Sequence, residues 1–369
     1  MLLAVEIVFA ISAVVSSLYF VLVYLGWRRA VQTPPGRTPQ DDVTIVVAAH
    51  NEAKRLPVLL TALRDQSLPK ERVRIIVVDD RCDDQTREVA EEYGAGLTMQ
   101  ILRVDAVPDG VSPKKHALHR GISAATTDIV LLTDADCEPE SDWAASMLRV
   151  FGSGKDVVVG LAPLRGERPA AARYSAFESR RTMALMSAAT AWGQPYMTTG
   201  RSWGFRKEMY ENAGTLEALY EHLGGDDDLL LQNMIAAGAT VGMCTEPGSF
   251  VHSDAHHDWK SLFRQKLRHY RVSASYRGSA ALLLGLFVAS EILVPVSAAA
   301  LMALLPGWQK LIPPVLWAWK LWYDTGFLVA AFKWMHGDSS RVALAKWEGF
   351  HIFHALFVGL LSFVKRSRW

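Results

Sequence analysis

The chain has 369 residues, 50% hydrophobic and 21% charged, and the apolar excess gathers at its two ends, leaving room for one globular domain of ordinary size between them. Its 39 Lys and Arg against 38 Asp and Glu give a net charge of +1, which argues against nucleic acid as a partner and requires any phosphate-bearing ligand to be held by placed charges. The three cysteines, Cys82, Cys137 and Cys244, have no paired metal-ligand spacing and fit a reducing compartment, so the middle domain is expected in the cytosol.

Residues 1–27 are apolar apart from Glu6 and three serines, long enough to cross a hydrocarbon core of about 30 Å as a helix. Arg28 and Arg29 follow the apolar run instead of preceding it, so the segment reads as a retained anchor with a cytoplasmic flank, not as a cleaved signal. Residues 28–42, with TPPGRTPQDD at their end, form a linker.

Residues 43–258 are expected to form the globular domain. Strands over 43–49, 73–78, 98–104 and 128–133 alternate with helices over 52–66, 83–93 and 114–124. This pattern predicts an α/β domain with a mostly parallel, Rossmann-like sheet and helices on both faces. Ligands of such sheets bind beyond the carboxyl ends of the strands, where this chain places Asn51, Glu52, Asp79, Asp80, Asp134 and Asp136. Asp134 and Asp136 are two apart after a strand, so their side chains point alike and suit one divalent cation, Mn²⁺ or Mg²⁺, bridged to a diphosphate. An isolated D-x-D reads as well as a pair of solvated loop acids; acids or amides at three adjacent strand ends favour the site. Acids that meet a nucleotide directly accept from base N–H or ribose hydroxyls, a task for Asp80 and Glu52. Lys114, or its neighbour Lys115, opens a helix after Pro113 and offsets phosphate charge.

Farther along, TTGRSWGFR at 198–206, with Gly200, Arg201 and Trp203, lets backbone approach a sugar closely. Asp226, Asp227 and Asp228 precede the helical pattern LLLQNMIAAG. One acid suffices to cap a helix; three suggest more than capping, with Asp227 the first choice for a chemical role and Asp226 and Asp228 left open. His252, His256 and His257 are spaced to bind zinc if helical; otherwise they line a polar loop beside a phosphate site, or one of them completes the shell of Asp136. Residues 259–279 read as a basic amphipathic helix at the surface of a lipid bilayer. Residues 280–369 carry apolar stretches at 280–305, 311–332 and 349–364, for two or three membrane helices. Glu291, Lys320 and Asp324 inside them must face protein or water, by helix pairing or as a polar wall for an amphiphilic acceptor. Lys365, Arg366 and Arg368 stay on the cytoplasmic side only if the third stretch does not cross.

AAHNEA at 48–53, VVDDRCDD at 77–84, PKKHAL at 113–118 and LLTDADC at 131–137 resemble the membrane-bound, inverting family 2 glycosyltransferases of GT-A fold, with Ala48 where that family usually has proline. The resemblance implies that Glu52 and Asp80 hold uridine, that Lys114 lies near the diphosphate, and that Asp134 and Asp136 form the metal and nucleotide site. The acidic run at 226–228 is similar to the family's base motif. Gln265-x-x-Arg268-His269 is similar to its Q-x-x-R-W element, which lies over the donor diphosphate and the acceptor. His269 in place of tryptophan argues against extension of a polysaccharide. The resemblance thus implies a metal-dependent, non-processive transfer from a UDP-sugar to a hydroxyl of a membrane lipid acceptor, by a multi-pass protein of the cell membrane. A processive polysaccharide synthase and, from another class, a membrane-bound nucleotidyltransferase are the alternatives.

Overall fold

The computed structural model describes residues 1–34, 36–37, 39–221, 224–273, 276 and 278–364; Lys365, Arg366 and Arg368, whose side of the membrane the sequence left open, lie outside them. The chain divides into two compact units, one of residues 30–165 and 195–255, the other of residues 1–29, 166–194 and 256–369.

Among the described residues of the first unit, ten strands form two sheets. β1 (Val43–Ala49), β2 (Val73–Asp80), β3 (Met99–Val104), β4 (Ile129–Leu132), β5 (Glu138–Pro139), β6 (Val157–Gly160), β7 (Leu164–Arg165), β8 (Trp203–Arg206), β9 (Val241–Cys244) and β10 (Val251–Asp254) follow in chain order. The large sheet runs β3-β2-β1-β4-β8-β6-β9, and β5-β10-β7 form the small one. β3, β2, β1 and β4 are mutually parallel, whereas β8 runs antiparallel to both β4 and β6. This is the mostly parallel α/β sheet the alternating pattern predicts. Its central strands are continuous β-branched and aliphatic runs because helices cover both faces: Val43, Ile45, Val46, Val47, Ile129 and Val130 are all fully buried. The Leu56–Arg64 helix buries Leu56, Leu59, Leu60 and Leu63, its i, i+3, i+4, i+7 stripe. The Pro113–Ala124 helix lies close on the sheet because Gly121 has no side chain; a Cβ there would stand 2.4 Å from Val46 Cγ1.

The second unit is helical: Leu2–Gln32, Ala170–Ala191, Trp259–Ser273, Gly278–Leu304, Ile312–Thr325, Val329–Trp334 and Arg341–Val364, with only the last residues of the first helix outside it. Among the described residues, two helices, Leu2–Gln32 and Gly278–Leu304, are long and apolar enough to cross a membrane. The stretch at 311–332 is not one long helix. It forms a 14-residue helix, a 3₁₀ turn at Gly326–Leu328 and a six-residue helix, the break falling where Thr325 Oγ1 turns back to the carbonyl of Leu321 and Gly326 leaves room for Arg341. The expected interfacial helix is described over Trp259–Ser273; residues 274, 275 and 277 of its expected span lie outside the described residues. Residues 166–194, expected inside the globular domain, belong to this helical unit. The reason is polar as well as apolar: Arg181 on Ala170–Ala191 forks onto Glu348 at 2.8 and 2.9 Å, Glu178 pairs with Lys266, and Arg180 donates to the carbonyl of Met335. The charges of the apolar stretches also pair, with Lys320 Nζ 3.2 Å from Glu291 and 2.5 Å from Asp324, the arrangement that a low-dielectric surround demands.

Candidate active site

The loops after β1 and β2 are laced together. Asn51 and Arg81 both adopt positive φ, 58° and 55°, a conformation that non-glycine residues keep only where surrounding contacts impose it. Those contacts are specific: the Asp83 N–H donates to Asn51 Oδ1 at 3.0 Å, the Cys82 N–H to Asp79 Oδ1 at 3.0 Å, the Glu52 N–H to Thr86 Oγ1 at 2.8 Å, and His50 Nδ1 to the Asp80 carbonyl at 2.6 Å. Asn51 and Asp79 therefore serve the loops. Asp80, almost fully buried, holds Arg81 at 2.8 Å.

Beside these loops the acids meet two cations. Arg55 Nε is 2.8 Å from Glu52 Oε2 and its Nη1 is 3.2 Å from Asp136 Oδ2. Lys114 Nζ is 2.9 Å from Asp134 Oδ1 and 3.3 Å from Asp226 Oδ2. Burial raises the Glu52 carboxyl, against the pull of Arg55. Desolvation works against the Lys114 ammonium, but Asp134 and Asp226 outweigh it and hold it well above the ordinary lysine range. One ligand atom each from Asp134, Asp136 and Cys137 lies within 4.8 Å of the others. The hard carboxylate oxygens of that set fit Mg²⁺ or Mn²⁺; burial pushes the Cys137 thiol up.

The three aspartates after Gly225 take separate tasks. Asp227 is the N-cap of the Asp228–Ala236 helix, accepting from the Asp228 N–H, and its other oxygen accepts the Gly200 N–H at 2.8 Å. Asp228 accepts the Thr198 N–H at 2.9 Å. Asp226 pairs directly with Lys114. Burial and the neighbouring Asp226 charge raise the Asp227 carboxyl to about 6; burial opposes the Asp226 charge, but Lys114 prevails and lowers its carboxyl. Gly200 fits because a Cβ there would come 3.2 Å from Asp227 and 3.8 Å from Lys114. Beside it the Thr198 and Thr199 hydroxyl oxygens are buried without a hydrogen-bond partner among the described residues.

Other expected residues go elsewhere. Trp203 is not in the sugar region: as the first residue of β8 it turns inward, 1% exposed, with its ring 5.1 Å from Phe205. Arg201 donates to Ser253 Oγ at 2.6 Å. Lys115 is buried and donates to the Leu219 carbonyl, which leaves Lys114 as the lysine of the site. Residues 252–257 are not helical, and the histidines belong to no metal-binding group among the described residues; His252 Nε2 sits 2.8 Å from Glu140. Gln265, Arg268 and His269 lie on Trp259–Ser273 in the helical unit, the last two exposed. Arg55 went unnoticed in the sequence, although its place three residues after Glu52, opening a helix, was a signal.

The profile described as "Glycosyl transferase family 2" matches residues 44–214, the span that holds both strand-end loops, Lys114 and the D-x-D. The chain carries a family 2 glycosyltransferase domain. Over 111 residues it is 37% identical to the 4,4'-diaponeurosporenoate glycosyltransferase of Staphylococcus haemolyticus, covering 30% of this chain and 28% of that protein. Over 151 residues it is 32% identical to the pre-mycofactocin glycosyltransferase of Mycobacterium tuberculosis, covering 40% and 29%. The chain thus spans less than a third of the length of these two relatives. Among solved structures, the mannosyltransferase PcManGT from Pyrobaculum calidifontis, in complex with GDP-Man and Mn²⁺, superposes with a TM-score of 0.60 at 17% identity, over 96% of this chain and 99% of that one. That likeness concerns the fold, and it places the glycosyltransferase domain in the GT-A class.

Proposed function

We propose that this protein is a metal-dependent, inverting glycosyltransferase that moves a single sugar from a UDP-sugar to a hydroxyl of a membrane lipid. The observation that carries the reading is Lys114, whose one ammonium lies 2.9 Å from the D-x-D carboxylate Asp134 and 3.3 Å from Asp226, next to Asp227. A D-x-D acid and the immediate neighbour of the candidate base thereby share one ammonium. Asp134 and Asp136 would hold Mn²⁺ or Mg²⁺, which supplies charge neutralisation for the departing diphosphate. Glu52 and Asp80 accept from uridine, and Lys114 donates to diphosphate oxygens. The Thr198 and Thr199 hydroxyls and the Gly200 backbone face the donor sugar. Asp227 takes the proton of the acceptor hydroxyl as that oxygen bonds to the anomeric carbon and the bond to UDP breaks on the opposite side; a carboxyl raised to about 6 is matched to this work near neutrality. Gln265, Arg268 and His269 serve the diphosphate and the acceptor.

Support for a lipid acceptor comes from the two helices apolar enough to span a bilayer and from the relative named for 4,4'-diaponeurosporenoate. The same reading puts the protein in the cell membrane, multi-pass with a cytosolic catalytic domain; the two apolar helices and Arg28 and Arg29 support it. The test is incubation of the purified protein with Mn²⁺, a panel of nucleotide-sugars and total lipid extract, with products read by mass spectrometry. The expected result is one lipid carrying one added sugar, with release of UDP. A ladder of products, or pyrophosphate release from a nucleoside triphosphate, would overturn it.

A further inference from the structure

Glu52, Asp136, Asp134 and Asp226 face Arg55 and Lys114. With Asp227 beside Asp226, the acids outnumber the two cations, an excess that a divalent cation would offset in part. The two cations are not equivalent. Lys114 bridges two acids from the start of a packed helix, whereas the Arg55 side chain is 58% exposed, grips Glu52 over one helical turn, and reaches Asp136 through a single nitrogen at 3.2 Å. Its contact with Asp136 rests on one nitrogen of an exposed side chain, so exchanging it moves no packed element. A guanidinium fork suits phosphate oxygens as well as carboxylates.

We propose that Arg55 is a tethered counter-ion of the second D-x-D carboxylate: a divalent cation displaces it from Asp136, and the freed guanidinium, still braced by Glu52, takes hold of the donor diphosphate. This rests on the reading of Asp134 and Asp136 as the metal site. Metal alone must then compete with Arg55, while a diphosphate bound beside the metal gives the displaced guanidinium a new anionic partner, so the two ligands bind cooperatively.

The experiment measures Mn²⁺ binding to the full chain in detergent from the electron paramagnetic resonance signal of free Mn²⁺, without nucleotide, and then UDP binding by calorimetry at saturating Mn²⁺. Because the pair is largely exposed, Arg55→Gln should bind Mn²⁺ only about two- to fivefold tighter than the natural chain, yet bind UDP in the presence of Mn²⁺ roughly tenfold more weakly, having lost a charged hydrogen bond. Arg55→Lys keeps the charge and should leave Mn²⁺ binding near that of the natural chain while still weakening UDP. A residue that merely shapes the loop would weaken both ligands together. Mn²⁺ binding that is unchanged or weaker in Arg55→Gln overturns the proposal. Mn²⁺ binding that survives intact in Asp136→Asn overturns the metal reading, and this proposal with it.

Discussion

Both oxygens of Asp227 accept backbone N–H groups, from Gly200 and Asp228, yet burial beside Asp226 keeps its carboxyl at about 6. The hydrogen bonds fix its direction and the neighbouring charge sets its basicity, two properties a general base needs at once. The working form is the carboxylate, which takes up a proton as pH falls through about 6. Turnover is therefore expected to be flat above that pH and to fall about tenfold per unit below it, as a pH profile of kcat/KM would register. Asp227→Asn should lose roughly 10²- to 10⁴-fold in kcat while binding UDP as before. Retention of more than a tenth of the turnover in that variant would remove Asp227 from the role. Asp226, held charged by Lys114, is a poor proton acceptor, and its replacement by Asn should act on donor KM by leaving Lys114 with one partner instead of two.

At the scale of elements, the close seat of the Pro113–Ala124 helix on β1 and β2 is what brings Lys114 to the strand ends. Gly121→Val would drive methyl groups into Val46 and Val78 and is expected to cost about 1–3 kcal/mol, read as a lowered midpoint in thermal or urea unfolding. The strands and their order of alternation were legible because buried parallel strands are written as uninterrupted apolar runs, and the residues just past them could be picked out as polar. Less was legible where the outcome depends on partners distant in sequence. β8 is a four-residue strand whose inward alternation of Trp203 and Phe205 across Gly204 looks in sequence like a sugar-facing loop. The split of 311–332 escaped hydropathy because a side chain turning back on its own backbone changes no average. Arg55 and Lys114 were separated by the same limit: lysine after Pro113 stands at a recognisable motif, while the reach of Arg55 to Asp136 spans 81 positions that only the fold brings together.

Across the whole molecule, the helical unit is tied by charges as well as by apolar contact. Glu348→Gln should leave Arg181 buried without its counter-charge and cost about 3–5 kcal/mol, whereas replacing both members of the pair by apolar residues of similar size should recover most of that loss; unfolding of the three variants in detergent would compare them. Two apolar helices far apart in sequence lead to the expectation that removing residues 1–29 alone will not release the protein from the membrane fraction on alkaline carbonate washing, since Gly278–Leu304 would still hold it. The assignment of residues 166–194 to the helical unit bears on how the catalytic half can be handled. The stretch matched by the family profile, 44–214, leaves its own unit and re-enters it, so a cut at 30 and 255 does not isolate a self-contained piece. It would carry off a 22-residue helix bearing Glu178, Arg180 and Arg181 stripped of their counterparts, a recipe for aggregation in the test tube. A water-soluble version suited to crystallisation or inhibitor screening would instead excise that helix and bridge Arg165 to Pro195 with a flexible linker.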